Sequence, residues 1–243
     1  PLTFKAEGGQ PGDSYWLRAD PVGISMQRDQ TILQADIALT GEDAAQLCAS
    51  LNALFGADGL NFFAPHPQRW YLRVDNAPDM HTHPLPQVVG ADMHAHLPYG
   101  ADALRWHSVI NEIQMLFYEH KVNLAREQRG ELPVSGVWLW GGGTHTAGLQ
   151  KPFSSLAGDS ELACAFAHAA GMQTDVLPDD WANTHGDLLL VCEGLRNALQ
   201  CADLGRWRNT VQQFEKDWAA PLFAALETGT IGQLTLDVLS EGA

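Results

Sequence analysis

Positive charge is scarce in this chain. Fourteen Lys and Arg stand against 29 Asp and Glu, a formal net charge of -15 over 243 residues. A surface that acidic lacks the cationic patch that nucleic acid or an anionic bilayer requires, so no nucleic-acid or membrane partner is expected. The same charge repels small anions at long range, so any phosphate or carboxylate pocket must gather its own arginines. Cysteine is also sparse: Cys48, Cys164, Cys192 and Cys201 form no CxxC pair. They read as reduced thiols of a cytoplasmic protein and not as a disulfide framework. No signal peptide is visible, and no apolar run is long enough to cross a membrane as a helix. The chain opens on Pro1 instead of Met, which reads as a processed chain or a fragment. Neither a GxxxxGK[ST] phosphate loop nor a dinucleotide fingerprint nor a GxSxG serine turn occurs. There is no internal repeat and no long charge run.

What is present is enough apolar material for a core: 45% hydrophobic residues, with 8 Trp and 9 Phe. Alternation in "SYWLRADPVGISM" and "TILQADI" predicts two strands around a turn near Arg28–Gln30. "TGEDAAQLCASLNALFGADG" predicts a helix with Thr40 as N-cap and Glu42 and Asp43 in its first turn. Leu47, Leu51, Leu54 and Phe55 would form its apolar face. "LNFFAP" and "RWYLRV" read as a strand pair. From Asn76 to Gly100 the chain is rich in Pro, His and Asp, which predicts a long loop or broken segments. One amphipathic helix is expected over Ala103–Gln128, with Val109, Ile113, Leu116, Phe117 and Leu124 on its core side. A strand at Val134–Trp140, a helix at Ser160–Ala170, a short strand near Asp175, a buried strand in "GDLLLVCEG" and a helix over Arg206–Leu226 follow. The expected fold is α/β with an α+β lobe: residues 1–102 as the α+β region and 103–243 as an α/β region with a partly parallel sheet.

Four features could carry chemistry. Gly141, Gly142 and Gly143 follow a strand, where glycines either make a tight turn or let backbone N–H groups approach an anion. Histidines come as HxH pairs, His81 with His83 and His94 with His96. On an extended segment each pair shares a face and could chelate zinc or manganese; a solvated polar loop is the plainer alternative. Arg18 and Arg69, in strands, and Arg126, near a helix end, could converge on a phosphate or carboxylate, or could complement surface acids and a helix C-terminus. Cys164 and His168 share a helix face, the setting of a structural cysteine.

The order of "GDSYWLRAD", "TGEDAAQLCASLNALFG", "QRWYLRV", "INEIQMLFYEHKVNLAREQRGELPVSGVWLWGGG" and "AHAAGM" resembles the archaeal-type cofactor-independent phosphoglycerate mutases. It is closer to a bacterial branch labelled phosphoglycerate mutase-like, or regulatory protein of the RpfE type. His120, Val122, Asn123, Arg126, Gly130, Pro133, Gly141 and Gly143 match the mutase pattern. The resemblance implies an alkaline-phosphatase-like fold with an inserted α+β substrate lobe, and in true mutases a two-metal centre activating a serine. This chain departs from it. Trp140 stands where the mutases carry an arginine, "DLLLVCEGLRNALQ" lacks the histidine ligand, and "LTLDVLSEGA" offers only Asp237. The expectation is a non-catalytic, mutase-like protein with a binding or regulatory role. Its anion pocket would comprise Arg18, Arg69, Asn123, Arg126 and the three glycines. The alternatives are an active metal-dependent mutase or phosphatase, and a non-catalytic metal binder using His81, His83, His94 and His96.

Overall fold

The computed structural model describes residues 1–27, 30–35, 37–146, 148–181, 186–200 and 203–238. They fall into two compact units, one of residues 3–145 and one from Thr146 onward.

The first unit is organised by one long strand. After the short helix α1 (Leu2–Ala6) comes β1 (Tyr15–Gln27). Side chains alternate across a strand, so Leu17 and Ala19 enter the main core while Trp16 packs on the other face with Phe4 and Tyr71. β2 (Gln30–Gln34) pairs antiparallel with the far end of β1. The turn expected between them falls on residues 28 and 29, outside the described residues. α2 (Gly41–Phe55) begins as its sequence predicts, with the Asp43 N–H donating to Thr40 Oγ1 at 3.1 Å. Leu47, Leu51 and Phe55 are buried, but Leu54 is 44% exposed because it lies off the 47–51–55 row. β3 (Leu60–His66) and β4 (Arg69–Val74) form an antiparallel pair, and β4 also pairs with β1. The expected broken segment holds α3 (Leu85–Val88), a 3-10 turn at Met93–His96 and a bridge between His81 and Tyr99.

The single helix expected over Ala103–Gln128 is two: α4 (Ala103–Tyr118) and α5 (Lys121–Gln128). His120 breaks it. Its backbone is extended, and its Nδ1 accepts the Val122 N–H at 3.2 Å, so the imidazole caps α5. Val109, Ile113 and Phe117 enter the core as expected. The break turns α5 onto another face, burying Val122, Asn123 and Arg126 and leaving Leu124 48% exposed. The His120 Nε2 lies 3.0 Å from Ser50 Oγ. Because Nδ1 accepts a backbone proton, the ring is a neutral donor at Nε2 and no base for that serine. Burial first, and the Lys121 charge second, hold its pKa below the ordinary 6.5. The fold therefore favours the neutral ring. Its contribution is complete above the ordinary value and is lost as pH falls through the lowered one. The difference in urea midpoint between wild type and His120→Ala is expected to narrow from about pH 7.5 to about pH 5; an unchanged difference would exclude this role.

β5 (Gly136–Gly143) pairs antiparallel with β1 on the edge opposite β4. The sheet order is β2-β1-β4-β3, with β5 against β1. Trp106, Ile113, Phe117, Val122, Val137 and Leu139 share one core with Leu17 and Leu72. That is why the division falls near residue 145 and not, as expected, near 102: α4, α5 and β5 complete the first unit.

The second unit contains β6 (Ser155–Gly158), α6 (Glu161–Ala169), β7 (Gln173–Asp175), β8 (Leu188–Val191), α7 (Gly194–Gln200) and α8 (Leu204–Phe214). A π-helical turn at Glu215–Ala219 leads into α9 (Ala220–Glu227). Its sheet is parallel, in the order β7-β6-β8, so among the described residues the parallel part of the expected sheet lies here. Cys48, Cys164 and Cys192 are free thiols, and burial pushes Cys48 up to about 12. Cys201 lies outside the described residues. Among the described residues no helix is long and apolar enough to cross a membrane.

Candidate functional site

The three glycines are not a turn beyond a strand; they are the end of β5. Arg18 stands opposite Trp140 and Trp16 opposite Gly143, so two steps on β1 answer three on β5. One extra residue on β5 makes a β-bulge, and Gly141 supplies the left-handed backbone (φ 63°) that such a bulge takes up most readily as glycine. Gly142 has a different reason. A Cβ there would lie 2.3 Å from Tyr15 Oη and 2.9 Å from Leu17 Cδ2.

Beside the bulge, on the sheet face away from the main core, Arg18 is flanked by its two cross-strand neighbours. Its guanidinium carbon is 5.2 Å from the ring centres of both Tyr71 and Trp140. Nε and Nη2 donate to Asp20 Oδ1 at 3.0 and 2.7 Å. Asp20 is buried, and its Oδ2 accepts the Trp140 indole N–H at 2.7 Å while Oδ1 also takes the Trp70 N–H at 3.3 Å. Burial pushes the Asp20 carboxyl above its ordinary range, opposed by the charge and hydrogen bonds of Arg18 and by the Trp140 and Trp70 N–H groups. Trp140 thus turns its one donor inward to a carboxylate. Arg18 Nη1 has no protein partner among the described residues, and the side chain keeps 13% exposure. Burial likewise raises the Tyr71 hydroxyl to about 12.

Two of the other expected anion-binding residues, Asn123 and Arg126, are not gathered here; the third, Arg69, stands two residues before Tyr71 on β4, on the same sheet face. Arg69 is ion-paired with Glu7. Asn123 donates to the Phe117 and Val134 carbonyls at 2.7 and 2.8 Å and accepts the Val134 N–H at 2.9 Å. Arg126, 2% exposed, donates to Leu132 O through Nε and Nη2 and to Ala38 O through Nη1, with Glu131 3.2 Å and Asp43 3.7 Å from Nη1. These two side chains clamp backbone instead of facing a ligand.

The histidines are only partly assembled. His81 stacks on Tyr99 with ring centres 5.0 Å apart. His83 and His96 meet edge to face at 5.2 Å. Their Nδ1 atoms engage the carbonyls of His96 and Asp92, at 3.1 and 3.0 Å, which leaves each Nε2 as an acceptor. His94 is exposed and bonds Asp92. The expected four-histidine set is not a ready metal site: among the described residues no three His, Cys, Asp or Glu are placed to hold an ion. Trp138, opposite Asp20 on β1, donates its indole N–H to His83 O at 2.8 Å, so the histidine segment covers the same sheet face as Arg18.

In the second unit, Asp159 and Cys192 follow the carboxyl ends of β6 and β8, where α/β sheets commonly bind ligands. There the Asp159 carboxylate already takes the N–H groups of Glu193 and Gly194, at 2.6 and 2.9 Å. A cavity of about 140 Å³ beside it includes Asp217 as well. Two carboxylates make it unsuited to an anion.

Asp20, Tyr71 and Asp159 were not singled out from the sequence. The signal for Asp20 was there: in "RAD" the arginine and aspartate sit two apart on a strand, and so on one face.

No protein-family model matches the chain. It is 26% identical over 156 residues, 58% of its length, to the 2,3-bisphosphoglycerate-independent phosphoglycerate mutase of Methanosarcina barkeri. To 2,3-bisphosphoglycerate-independent phosphoglycerate mutase 2 of Methanothermobacter thermautotrophicus it is 37% identical over 78 residues, 31% of the chain. The chain shares distant homology with the cofactor-independent phosphoglycerate mutases. The matched stretches cover 39% and 18% of those two relatives, so the chain spans well under half the length of the curated mutases it matches. The solved cofactor-independent phosphoglycerate mutase of Thermoplasma acidophilum aligns with 90% of this chain and 66% of its own, at 12% identity and a TM-score of 0.43.

Proposed function

We propose that this mutase-like chain binds a small phosphorylated or carboxylate ligand in a regulatory role and does not itself catalyse phosphoryl transfer. The observation that carries the reading is the Arg18 group. One guanidinium, held by Asp20 between Tyr71 and Trp140, keeps Nη1 for a ligand beside the exposed bulge. Meanwhile Trp140 gives its N–H to Asp20 and adds no cation. One donor and one bulge can hold an anion, whereas two-metal phosphoryl transfer needs charge stabilisation on both the attacking and the leaving oxygen. The regulatory RpfE-type assignment and a cytoplasmic setting belong to the same proposal.

Calorimetric titration with 3-phosphoglycerate is expected to give saturable heat, weakened at least about tenfold in Arg18→Lys, because lysine replaces the planar fork by a point charge. No heat with 3-phosphoglycerate, inorganic phosphate or glycerate would overturn the binding role. Turnover in a coupled mutase assay with added manganese or zinc would overturn the non-catalytic one. A second reading, metal binding without catalysis, is supported by the neighbouring rings of His83 and His96, each of which keeps its Nε2 as an acceptor. It requires stoichiometric zinc or manganese in untagged protein, lost in His83→Ala.

A further inference from the structure

A cavity of about 440 Å³ in the first unit is separate from the Arg18 group and shares only His94 with the histidines above. It lies between the end of β1, β2, the Met93–His96 turn and α4. Ile24, Met93, Leu97 and Ile110 form its apolar walls; Met93 and Ile110 are 5% exposed and fixed in place. The polar groups are Thr31, His94, His107, Asn111 and Gln114. His107, Asn111 and Gln114 follow at i, i+4 and i+7, one row along α4. His107 is held by its contact with Pro98 O at 2.7 Å. Among the described residues neither Asn111 nor Gln114 uses its side-chain amide on a protein group. The volume lies within the range of small-molecule sites, and an apolar chamber with a few convergent polar groups is their usual form.

The ligand's chemistry follows from what lines the cavity. In a chain of net charge -15, no Asp, Glu, Lys or Arg contributes to the lining. The nearby carboxylate of Asp92 is engaged by the Thr31 and His94 N–H groups. A charged ligand would meet no fixed counter-charge and would lose hydration. A primary carboxamide offers a donor and an acceptor side by side in one plane, the complement of an N–H next to a C=O in a ring. Two carboxamides one helical turn apart, over an apolar floor, suit a flat, neutral ring with such an edge.

We propose that this cavity binds a small uncharged heterocycle of the lactam or pyrimidine class, edge-on to Asn111 and Gln114. The site is separate from the anion group at Arg18, and its test does not depend on that reading. Uracil, uridine and 2-pyridone are the probes, with 1,3-dimethyluracil as the control that keeps the ring and loses the N–H. Saturable binding by calorimetry or ligand-observed NMR is expected for at least one of the three. Binding should fall at least about tenfold in Asn111→Leu or Gln114→Leu, the usual scale for losing a paired polar contact. Thermal melts of both variants, whose changes fall at an exposed and a half-buried position, should stay near wild type. No saturable binding by any probe overturns the proposal. So does equal binding of 1,3-dimethyluracil, or binding that both leucine variants retain.

Discussion

Arg126→Met is expected to lower the stability of the first unit by about 3–5 kcal/mol, the scale for breaking a buried ionic group from one side. Methionine refills most of the volume, so lost packing is the smaller part of the effect. The larger part is polar. Leu132 O loses two donors and Ala38 O loses one, and each costs about 1–3 kcal/mol where water does not replace the lost donor. Glu131 and Asp43 lose their cation as well. Arg126→Lys should recover only part, since one ammonium cannot reach both carbonyls as a planar fork does. Urea unfolding of the three proteins measures this. A loss below about 1 kcal/mol for Arg126→Met would show that water satisfies these carbonyls and that the clamp is dispensable.

Gly142→Ala is expected to cost about 1–3 kcal/mol, the range for forcing an added methyl into a packed site. Tyr15 Oη, at 2.3 Å from the new Cβ, sits at the tip of a ring and can swing. Leu17, at 2.9 Å and 2% exposed, cannot. Gly143→Ala is the control. Nothing lies within 4 Å of its Cβ and its backbone is ordinary, so a change within about 0.5 kcal/mol is expected. Tyr15→Phe added to Gly142→Ala should restore part of the loss, a non-additive pair as contacting sites show. Equal thermal shifts for the two alanine variants would reject the close approach.

Much of the first unit was legible in the sequence because its signals are local. Thr40 three residues before Asp43, the 47–51–55 row and the alternation of "YWLRAD" each declare an element within a few residues. The α4–α5 break was missed because His120 reads as an ordinary helix residue until its ring is seen capping Val122. The site was less legible for a related reason. Asn123 and Arg126 are polar groups that demand partners, and a string of residues does not say whether the partner is a ligand or the chain's own carbonyls. For Arg126 one such carbonyl is 88 residues away. The glycines posed the same ambiguity: the register shift against β1 makes them a bulge, and a register depends on two strands far apart in sequence.

That separation has a consequence for synthesis. The Trp140–Asp20 bond joins residues 120 apart, and translation at roughly 5–20 residues per second puts about 6–24 s between them. Through that interval one edge of β1 has no strand beside it, and an open edge is a template for pairing with another chain. The order of emergence leaves this strand exposed longest on the side that Trp138 and Trp140 finally close. A nascent chain stalled shortly before Gly136 would therefore be the one most prone to sticking to its neighbours on a polysome.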